Sequence, residues 1–156
     1  MVNTSFAQKA TRIKLVATDI DGVWTDACMY YTSKGEAMKM FSTYDGIAVQ
    51  LLREANIPVV IMTGEDSEIV TRRAEKLKID RVYLAEKHKL KRLTDICAEM
   101  DLQLSEVAFI GDDLNDIEVL QNVGFSAMPP NSPMLDNFTP DFISERCGGK
   151  GAFRDF

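Results

Sequence analysis

Two carboxylates follow a short apolar segment near the start of the sequence. Asp19 and Asp21 come directly after residues 13–18, and Gly22 follows them. Carboxylates this close repel each other unless a cation keeps them ionised. A hard divalent ion with oxygen ligands has this effect, and Mg²⁺ suits a site of a few carboxylates and waters. The pair therefore indicates metal-assisted chemistry, with carboxylates acting as a nucleophile or as an acid and base.

Polar residues also follow three later apolar segments, two of them at the end of the segment and the third slightly later. These residues are Thr63, Gly64 and Glu65 after the second segment, Lys89 after the third, and Gly111, Asp112, Asp113, Asn115 and Asp116 after the fourth. In an open parallel sheet such strand ends meet at one edge, where ligands bind. A metal, a lysine and a threonine hydroxyl around carboxylates suit phosphoryl transfer, in which positioning and charge neutralisation dominate. Lys87 is the alternative to Lys89, because both lie in one basic run.

The elements that must hold these residues alternate along the chain. We predict strands at 13–18, 57–62, 81–85, 107–110 and 125–128, with a sixth at 142–144, and helices near 45–55, 65–78, 87–100 and 113–122. The strands are continuously apolar over most of their length rather than alternating, which is typical of strands covered on both faces. This alternation predicts a single α/β domain over residues 1–156, with a parallel central sheet and right-handed crossovers.

Three segments depart from the alternation. Residues 24–43 contain two arms of apolar and aromatic residues around Gly35, which predicts a β-hairpin inserted after the first strand. Its apolar content exceeds what one small sheet buries, so we expect an oligomer contact there. Residues 1–11 are predicted to be a frayed leader. Residues 146–156, which contain three glycines, are predicted to be a flexible tail.

Composition limits the classes of function. The 156 residues are 46% hydrophobic and 27% charged, which fits one globular domain with a substantial core. The net charge of -6 at pH 7 makes nucleic acid or an anionic membrane surface a poor partner. No apolar run approaches the roughly 20 residues of a membrane span, and the first twelve residues lack a signal-peptide pattern. With three scattered cysteines, we expect a cytoplasmic protein with reduced thiols.

Four motifs of this chain resemble those of the haloacid dehalogenase superfamily of phosphatases: DIDG, MTGE, HKL and GDDLND, in this order. The resemblance spans about residues 13–154 and implies a three-layer Rossmann-like fold. It implies that Asp19 is the nucleophile, which forms an aspartyl phosphate, and that Asp21 is the general acid and base. Thr63 and Lys89 would hold the phosphoryl group. The implied ligands of Mg²⁺ are Asp19, the backbone carbonyl of Asp21 and Asp112, with Asp113 and Asp116 supporting them from a second layer.

Three longer stretches resemble the capless subfamily, which acts on phosphates of eight- and nine-carbon keto-deoxy sugar acids: DIDGVWTDACMYY, FSTYDGIAV and RCGGKGAFRDF. This resemblance implies a homotetramer with the hairpins packed at its centre. It also implies a tail that reaches a neighbouring site, where Lys150 and Arg154 would meet an anionic substrate. The stretch TGEDSEIVTRRAEKL is similar to the type that acts on 2-keto-3-deoxynononate 9-phosphate; the alternative is 3-deoxy-D-manno-octulosonate 8-phosphate. The substrate-binding candidates on this stretch are Gly64, Glu65, Arg73 and Lys76.

Other interpretations of the same residues stay open. A signalling receiver domain also gathers acids, threonine and lysine at strand ends, although its phosphoacceptor follows the third strand. The C-terminal part of animal CMP-acylneuraminate synthetases is similar too, so a non-catalytic oligomerisation module is a second alternative. Asp113 and Asp116 also fit the first turn of a helix, where acids are favoured by the helix dipole. Arg73 and Lys76 also fit a solvated, salt-bridged helix face.

Overall fold

The fold is built on a parallel sheet. The structure, a computed structural model, describes residues 4–156. The strands are β1 (Leu15–Thr18), β2 (Tyr30–Thr32), β3 (Gly35–Met38), β4 (Val59–Met62), β5 (Arg81–Tyr83), β6 (Val107–Ile110), β7 (Phe125–Met128) and β8 (Phe142–Ile143). Six of them form one sheet in the order β5-β4-β1-β6-β7-β8, and every neighbouring pair is parallel. β2 and β3 form a separate antiparallel hairpin.

Helices cover both faces of this sheet. They are α1 (Thr4–Ala10), α2 (Thr43–Glu54), α3 (Glu68–Leu77), α4 (Lys89–Glu99), α5 (Ile117–Leu120) and α6 (Ala152–Asp155), with 3₁₀ turns at Leu104–Glu106 and Leu114–Asp116. The predicted helices therefore form, although the one expected at 113–122 is divided into a 3₁₀ turn and the short α5. Within residues 4–156, no helix has the length and apolar character that crossing a membrane requires.

Alternate strand residues pack into different layers of the domain. Val16 packs into the cluster that includes residues of α2, α3 and α6, whereas Leu15 and Ala17 pack into the cluster that includes residues of α4 and α5. Because both faces are buried, β4 and β6 are apolar along their whole length and β1 is apolar except for Thr18. The predicted three-layer α/β fold is confirmed, and the described part of the chain contains no separate cap domain.

The register of the sheet places the carboxyl ends of the three central strands side by side. Thr18 of β1 pairs with Ile61 of β4 and with Ile110 of β6. Directly beyond this point, the backbone N–H of Asp19 donates to Ile110 O at 3.0 Å. The loops after β1, β4 and β6 therefore leave the sheet together, at the edge where open α/β sheets bind ligands.

The hairpin lies within the predicted range 24–43, but only its tip is β-structure. The segment before β2 folds back on the sheet, and Trp24 is fully buried with its indole N–H donating to Thr18 Oγ1 at 3.0 Å. The hairpin itself and the segments flanking it are rich in exposed large side chains. These are Met29, Tyr30, Tyr31, Met38 and Met40.

Both chain ends are more ordered than the sequence predicts. The frayed leader predicted at 1–11 is wrong for Thr4–Ala10, which is helix α1; residues 1–3 lie outside the described residues. The flexible tail predicted at 146–156 instead packs on its own protomer. Gly149 N–H donates to Val23 O at 3.1 Å, and Phe153 is buried with its ring centroid 4.9 Å from that of Trp24. Aromatic burial in α6 fixes the tail, which the glycine content alone did not indicate.

Candidate active site

A buried lysine joins two of the acids at the carboxyl edge of the sheet. Lys89 Nζ lies 2.9 Å from Asp19 Oδ2 and 2.7 Å from Asp116 Oδ1, and all three side chains are at most 6% exposed. Lys89 is the first residue of α4, so the helix directs it to the edge. Lys87, the alternative in the same basic run, is exposed. Lys89 is therefore the lysine that the fold brings to the acids.

Asp112 completes the cluster from the end of β6. One carboxylate oxygen from each of Asp19, Asp112 and Asp116 lies within 4.8 Å of the other two. Asp112 Oδ1 is buried and has no hydrogen-bond partner. The close approach depends on Gly22, with φ of +91°, where a Cβ atom would lie 1.7 Å from Asp112 Oδ2. A buried, unpartnered oxygen beside a second carboxylate is the arrangement that a divalent cation satisfies.

Asp116 and Asp113 take different parts in this loop. Asp116 already has a partner on each oxygen, because Oδ1 accepts from Lys89 and Oδ2 accepts the backbone N–H of Asp112 at 2.9 Å. It therefore fits an orienting role, and Asp19 and Asp112 fit the metal. Asp113 is exposed, and its Oδ1 accepts the N–H of Leu114 at 2.7 Å. Its contacts are those of an N-cap for the following turn.

Burial and mutual repulsion oppose ionisation of the clustered acids. Burial, followed by the charge of Asp116, raises the pKa of Asp19 well above its ordinary value, although Lys89 acts in the opposite direction. Burial, then the charges of Asp116 and Asp113, raises the pKa of Asp112 to about 7. Burial lowers the pKa of Lys89, but Asp19 and Asp116 outweigh burial and raise it. Lys89 stays charged, and a second cation is needed to keep both ligand acids ionised.

The loop after β4 supplies the buried hydroxyl of Thr63 and the exposed side chain of Glu65 at the rim of the site. Thr63 is fully buried, and its backbone N–H donates to Tyr83 O at 3.0 Å. Its hydroxyl oxygen accepts the N–H of Glu65 at 3.4 Å, which holds the start of the loop in place. Gly64 faces the loop of Asp112, since a Cβ atom there would lie 3.7 Å from Asn115 Nδ2. Glu65 is exposed at the rim of the site.

The side chains that contact Asp21 were missed by sequence analysis. Lys39, directly after β3, places Nζ 2.6 Å from Asp21 Oδ1 and 2.8 Å from Glu36 Oε1, and its side chain is fully buried. Glu36 Oε2 in turn accepts a hydrogen bond from Ser67 Oγ. The exposed methionines on both sides of Lys39 show that it lies on the opposite face of an extended segment, but the sequence does not show what that face meets.

Arg73 is not directed to the acids of its own protomer. Its guanidinium donates to Ser42 O at 3.1 Å and lies 5.6 Å from the centre of the Phe41 ring. Lys76, one helical turn further along α3, is exposed. Within one protomer, Arg73 therefore faces the start of α2 and Lys76 faces solvent. Helical spacing alone could not predict which direction each side chain takes.

The tail brings one of its two predicted cations towards the site. Lys150 is exposed two residues after Gly148, where a Cβ atom would lie 1.9 Å from Gly22 O; the tail therefore touches the loop of Asp21. Arg154 lies elsewhere, because it lines a cavity with Ile13 and Ile57, which precede β1 and β4. Within its own protomer, Arg154 packs along α2 rather than at the acid cluster.

Asp45 anchors this tail and was also missed. It is fully buried, and its Oδ1 accepts the backbone N–H of Arg154 at 2.9 Å. Burial raises the pKa of Asp45 to about 6, although the tail N–H groups and the charge of Arg73 act against that shift. An acid in the first turn of α2 is ordinary in a sequence, so nothing in the pattern marked this one as buried.

Comparison with known proteins agrees with this geometry. A family model for haloacid dehalogenase-like hydrolases matches residues 31–124. The 3-deoxy-D-manno-octulosonate 8-phosphate phosphatase of Haemophilus influenzae is 35% identical over 148 residues, which are 95% of this chain and 82% of that protein. The enzyme of the same name from Moraxella catarrhalis, solved with magnesium ion, phosphate ion and KDO, matches with a TM-score of 0.92 at 36% identity, over 99% of this chain and 88% of that one. The Yersinia pestis enzyme of this name matches with a TM-score of 0.92 at 32% identity, over 98% of this chain and 83% of that one.

The chain belongs to the haloacid dehalogenase-like hydrolase family. Within that family it is similar to the capless phosphatases of the 3-deoxy-D-manno-octulosonate 8-phosphate group, and it is a phosphoric monoester hydrolase. Mg²⁺ is the cofactor of such enzymes, and Asp19 with the unpartnered oxygen of Asp112 fits it. A receiver domain is excluded by this family assignment.

Proposed function

We propose that this protein hydrolyses the phosphomonoester of a keto-deoxy sugar acid, using Mg²⁺ and an aspartyl phosphate on Asp19. The observation that carries the proposal is the environment of Asp19. Its carboxylate lies beside one fixed cation, Lys89, at 2.9 Å, and beside Asp112, whose buried oxygen lacks a partner. This arrangement gathers positive charge around a nucleophile in a protein of net charge -6, as phosphoryl transfer requires.

The proposed reaction has two steps. In the first, an oxygen of Asp19 attacks phosphorus, the bond between phosphorus and the sugar oxygen breaks, and Asp21 gives its proton to that oxygen. In the second, ionised Asp21 takes a proton from water, the water oxygen attacks phosphorus, and the bond to Asp19 breaks. Phosphate leaves and Asp21 is protonated again, so one water is consumed. Mg²⁺, when bound, supplies charge neutralisation for Asp19 and the phosphoryl oxygens. Lys89 and Thr63 hold those oxygens.

Two observations bear on the sugar acid. Two of the similar proteins carry names of octulosonate enzymes, at 35% and 36% identity. Glu65, however, stands at the exposed rim of the site, where the nine-carbon type carries glutamate and the eight-carbon type usually carries arginine or another residue. A rim residue meets the part of a substrate farthest from its phosphate, which is where an eight- and a nine-carbon chain differ. We therefore propose 2-keto-3-deoxynononate 9-phosphate, with 3-deoxy-D-manno-octulosonate 8-phosphate as the second candidate.

The proposal extends to assembly and location. The exposed aromatic and methionine side chains of the hairpin favour a homotetramer with the hairpins at its centre. In such an assembly Arg73, Lys76, Lys150 and Arg154 would serve a neighbouring site. The cysteines are all free, which agrees with a cytoplasmic location. Sedimentation that shows a monomer at micromolar concentration would remove the tetramer.

Phosphate release tests the function directly. Wild-type protein is assayed with each of the two sugar acid phosphates, with and without Mg²⁺, and kcat/KM is compared. We expect Mg²⁺-dependent release and a preference for the nine-carbon substrate. Release from neither ester would leave the non-catalytic oligomerisation module as the remaining interpretation, and a preference for the eight-carbon ester would reverse the substrate assignment.

A charge reversal at the rim tests the role of Glu65. In Glu65→Arg we expect the preference to move towards the octulosonate ester by about 10-fold, the scale on which one rim contact discriminates substrates. Asp66→Arg is the matched control, because it makes the same charge change at the next exposed residue. Equal ratios for the two variants would show that the rim charge in general, rather than Glu65, sets the preference.

A further inference from the structure

The hairpin carries one buried cation that reaches into the catalytic edge. The Lys39 side chain is completely buried, although Met38 and Met40 beside it are 58% and 40% exposed. Its Nζ lies 2.6 Å from Asp21 Oδ1 and 2.8 Å from Glu36 Oε1. Burying an ammonium group is costly unless it is paired. Both partners are carboxylates, and Asp21 is the proposed proton donor.

These contacts connect the hairpin to two catalytic loops. On one side, Lys39 holds Asp21 in the loop after β1. On the other side, the second oxygen of Glu36 accepts a hydrogen bond from Ser67 Oγ, and Ser67 immediately precedes α3, four residues after Thr63. The hairpin insert is therefore tied to the loop of the acid and base and to the loop of the phosphate-binding threonine.

The contact with Lys39 distinguishes the two oxygens of Asp21. Oδ1 is held by Lys39 and lies 3.4 Å from Thr25 Oγ1. Oδ2 is buried and has no hydrogen-bond partner. With one oxygen fixed by an ion pair, the carboxyl group cannot rotate freely, and the other oxygen keeps a single direction.

We propose that Lys39 is a positioning residue that fixes the carboxyl group of Asp21 for proton exchange with the leaving oxygen and with water. This inference rests on the proposed function, because it takes Asp21 as the acid and base. It gives the hairpin a part in catalysis within its own protomer, in addition to any contact between copies. The effect operates through geometry, since a misplacement of about 1 Å is sufficient to cost about 100-fold in rate.

The test uses two esters that differ in their need for an acid. p-Nitrophenyl phosphate has a leaving group that departs without a proton, whereas a sugar acid phosphate leaves an alkoxide that must be protonated. The parameter is kcat/KM, which reports the steps up to departure of the alcohol. In Lys39→Met we expect kcat/KM for the sugar acid phosphate to fall by about 10- to 100-fold, while the value for p-nitrophenyl phosphate changes by less than about threefold.

Two further variants keep the result interpretable. Lys34→Met makes the same change at the exposed hairpin turn and should leave both values at the wild-type level. Glu36→Gln weakens the other anchor of Lys39 and should lower only the kcat/KM for the sugar acid phosphate, by less than Lys39→Met does. This variant replaces Lys39→Met in the test if thermal unfolding shows that Lys39→Met does not fold. Equal loss on both esters, or loss on neither, would overturn the role of Lys39. If wild-type protein released phosphate from neither ester, the proposed function itself would fail.

Discussion

Adding a single methyl group at Gly22 should disrupt the metal site and leave the rest of the fold intact. Gly22 has φ of +91°, and a Cβ atom there would lie 1.7 Å from Asp112 Oδ2. Ordinary contact begins near 3.4 Å, so the carboxylate of Asp112 would have to retreat by about 1.7 Å in a close-packed interior. Asp112 carries the buried oxygen that lacks a partner. Gly22→Ala therefore moves a metal ligand directly.

The expected losses of Mg²⁺ affinity and of activity follow from this displacement. Changes that misplace a ligand or its support cost about 10- to 100-fold in metal affinity or activity, and a shift of about 1 Å at reacting groups costs about 100-fold in rate. We expect the Mg²⁺ concentration at half-maximal activity to rise by about 10- to 100-fold in Gly22→Ala. We also expect kcat/KM at saturating Mg²⁺ to fall by about 100-fold. Calorimetric titration of Mg²⁺ checks the affinity without reference to turnover.

Gly35 provides a matched control within the same chain. It has φ of +112°, but no atom lies within 4 Å of a Cβ atom built there. Gly35→Ala therefore imposes the same kind of backbone strain, about 1 kcal/mol, without touching a ligand. We expect its Mg²⁺ titration to match that of wild type. Wild-type Mg²⁺ affinity in Gly22→Ala, or an equal loss in both variants, would refute the reasoning.

Three other substitutions test separate parts of the structure. Asp19→Asn should abolish turnover while circular dichroism and the unfolding midpoint stay near wild type, because the nucleophile is lost and its volume is kept; near-normal kcat would contradict the assignment. Lys89→Met should lower the free energy of unfolding by about 3–5 kcal/mol, since it leaves Asp19 and Asp116 buried beside each other without their cation, and urea titration measures this. Asp45→Asn should raise the free energy of unfolding by about 1–3 kcal/mol at pH 8. The folded pKa of Asp45, about 6, is above the ordinary 3.8, so ionisation of Asp45 opposes folding at high pH. The gain from Asp45→Asn should therefore shrink as pH falls through 6. A gain that is independent of pH would contradict this reasoning.

The parts of the site that sequence predicted lie within a residue or two of a strand or helix end. Asp19 and Asp112 follow β1 and β6, and Lys89 begins α4. In a parallel sheet, the position of such a residue is fixed by the strand before it, so apolar periodicity and motif order were enough to group them. The alternative lysine, Lys87, was separated from Lys89 only by burial, which a run of basic letters does not reveal.

The errors share a different physical origin. The tail was expected to be flexible, yet Phe153 is buried against Trp24. Burial of Asp45 beside that tail was not expected either. The contact of Lys39 with Asp21 was not predicted. Each depends on a contact between segments far apart in sequence, and side-chain type and spacing give no measure of such contacts.

By itself, the sequence determined the class of fold, the acids and lysine of the edge, and the family. These follow from local properties: hydrophobic period, strand ends and the order of four motifs. Tertiary structure alone decided which oxygen of each acid is free, which acid is held by Lys89 and which by Lys39, and where the tail lies. The physical reason is that partners, burial and pKa values arise from the packing of distant segments, and the shared edge of the sheet brings those segments within hydrogen-bond distance.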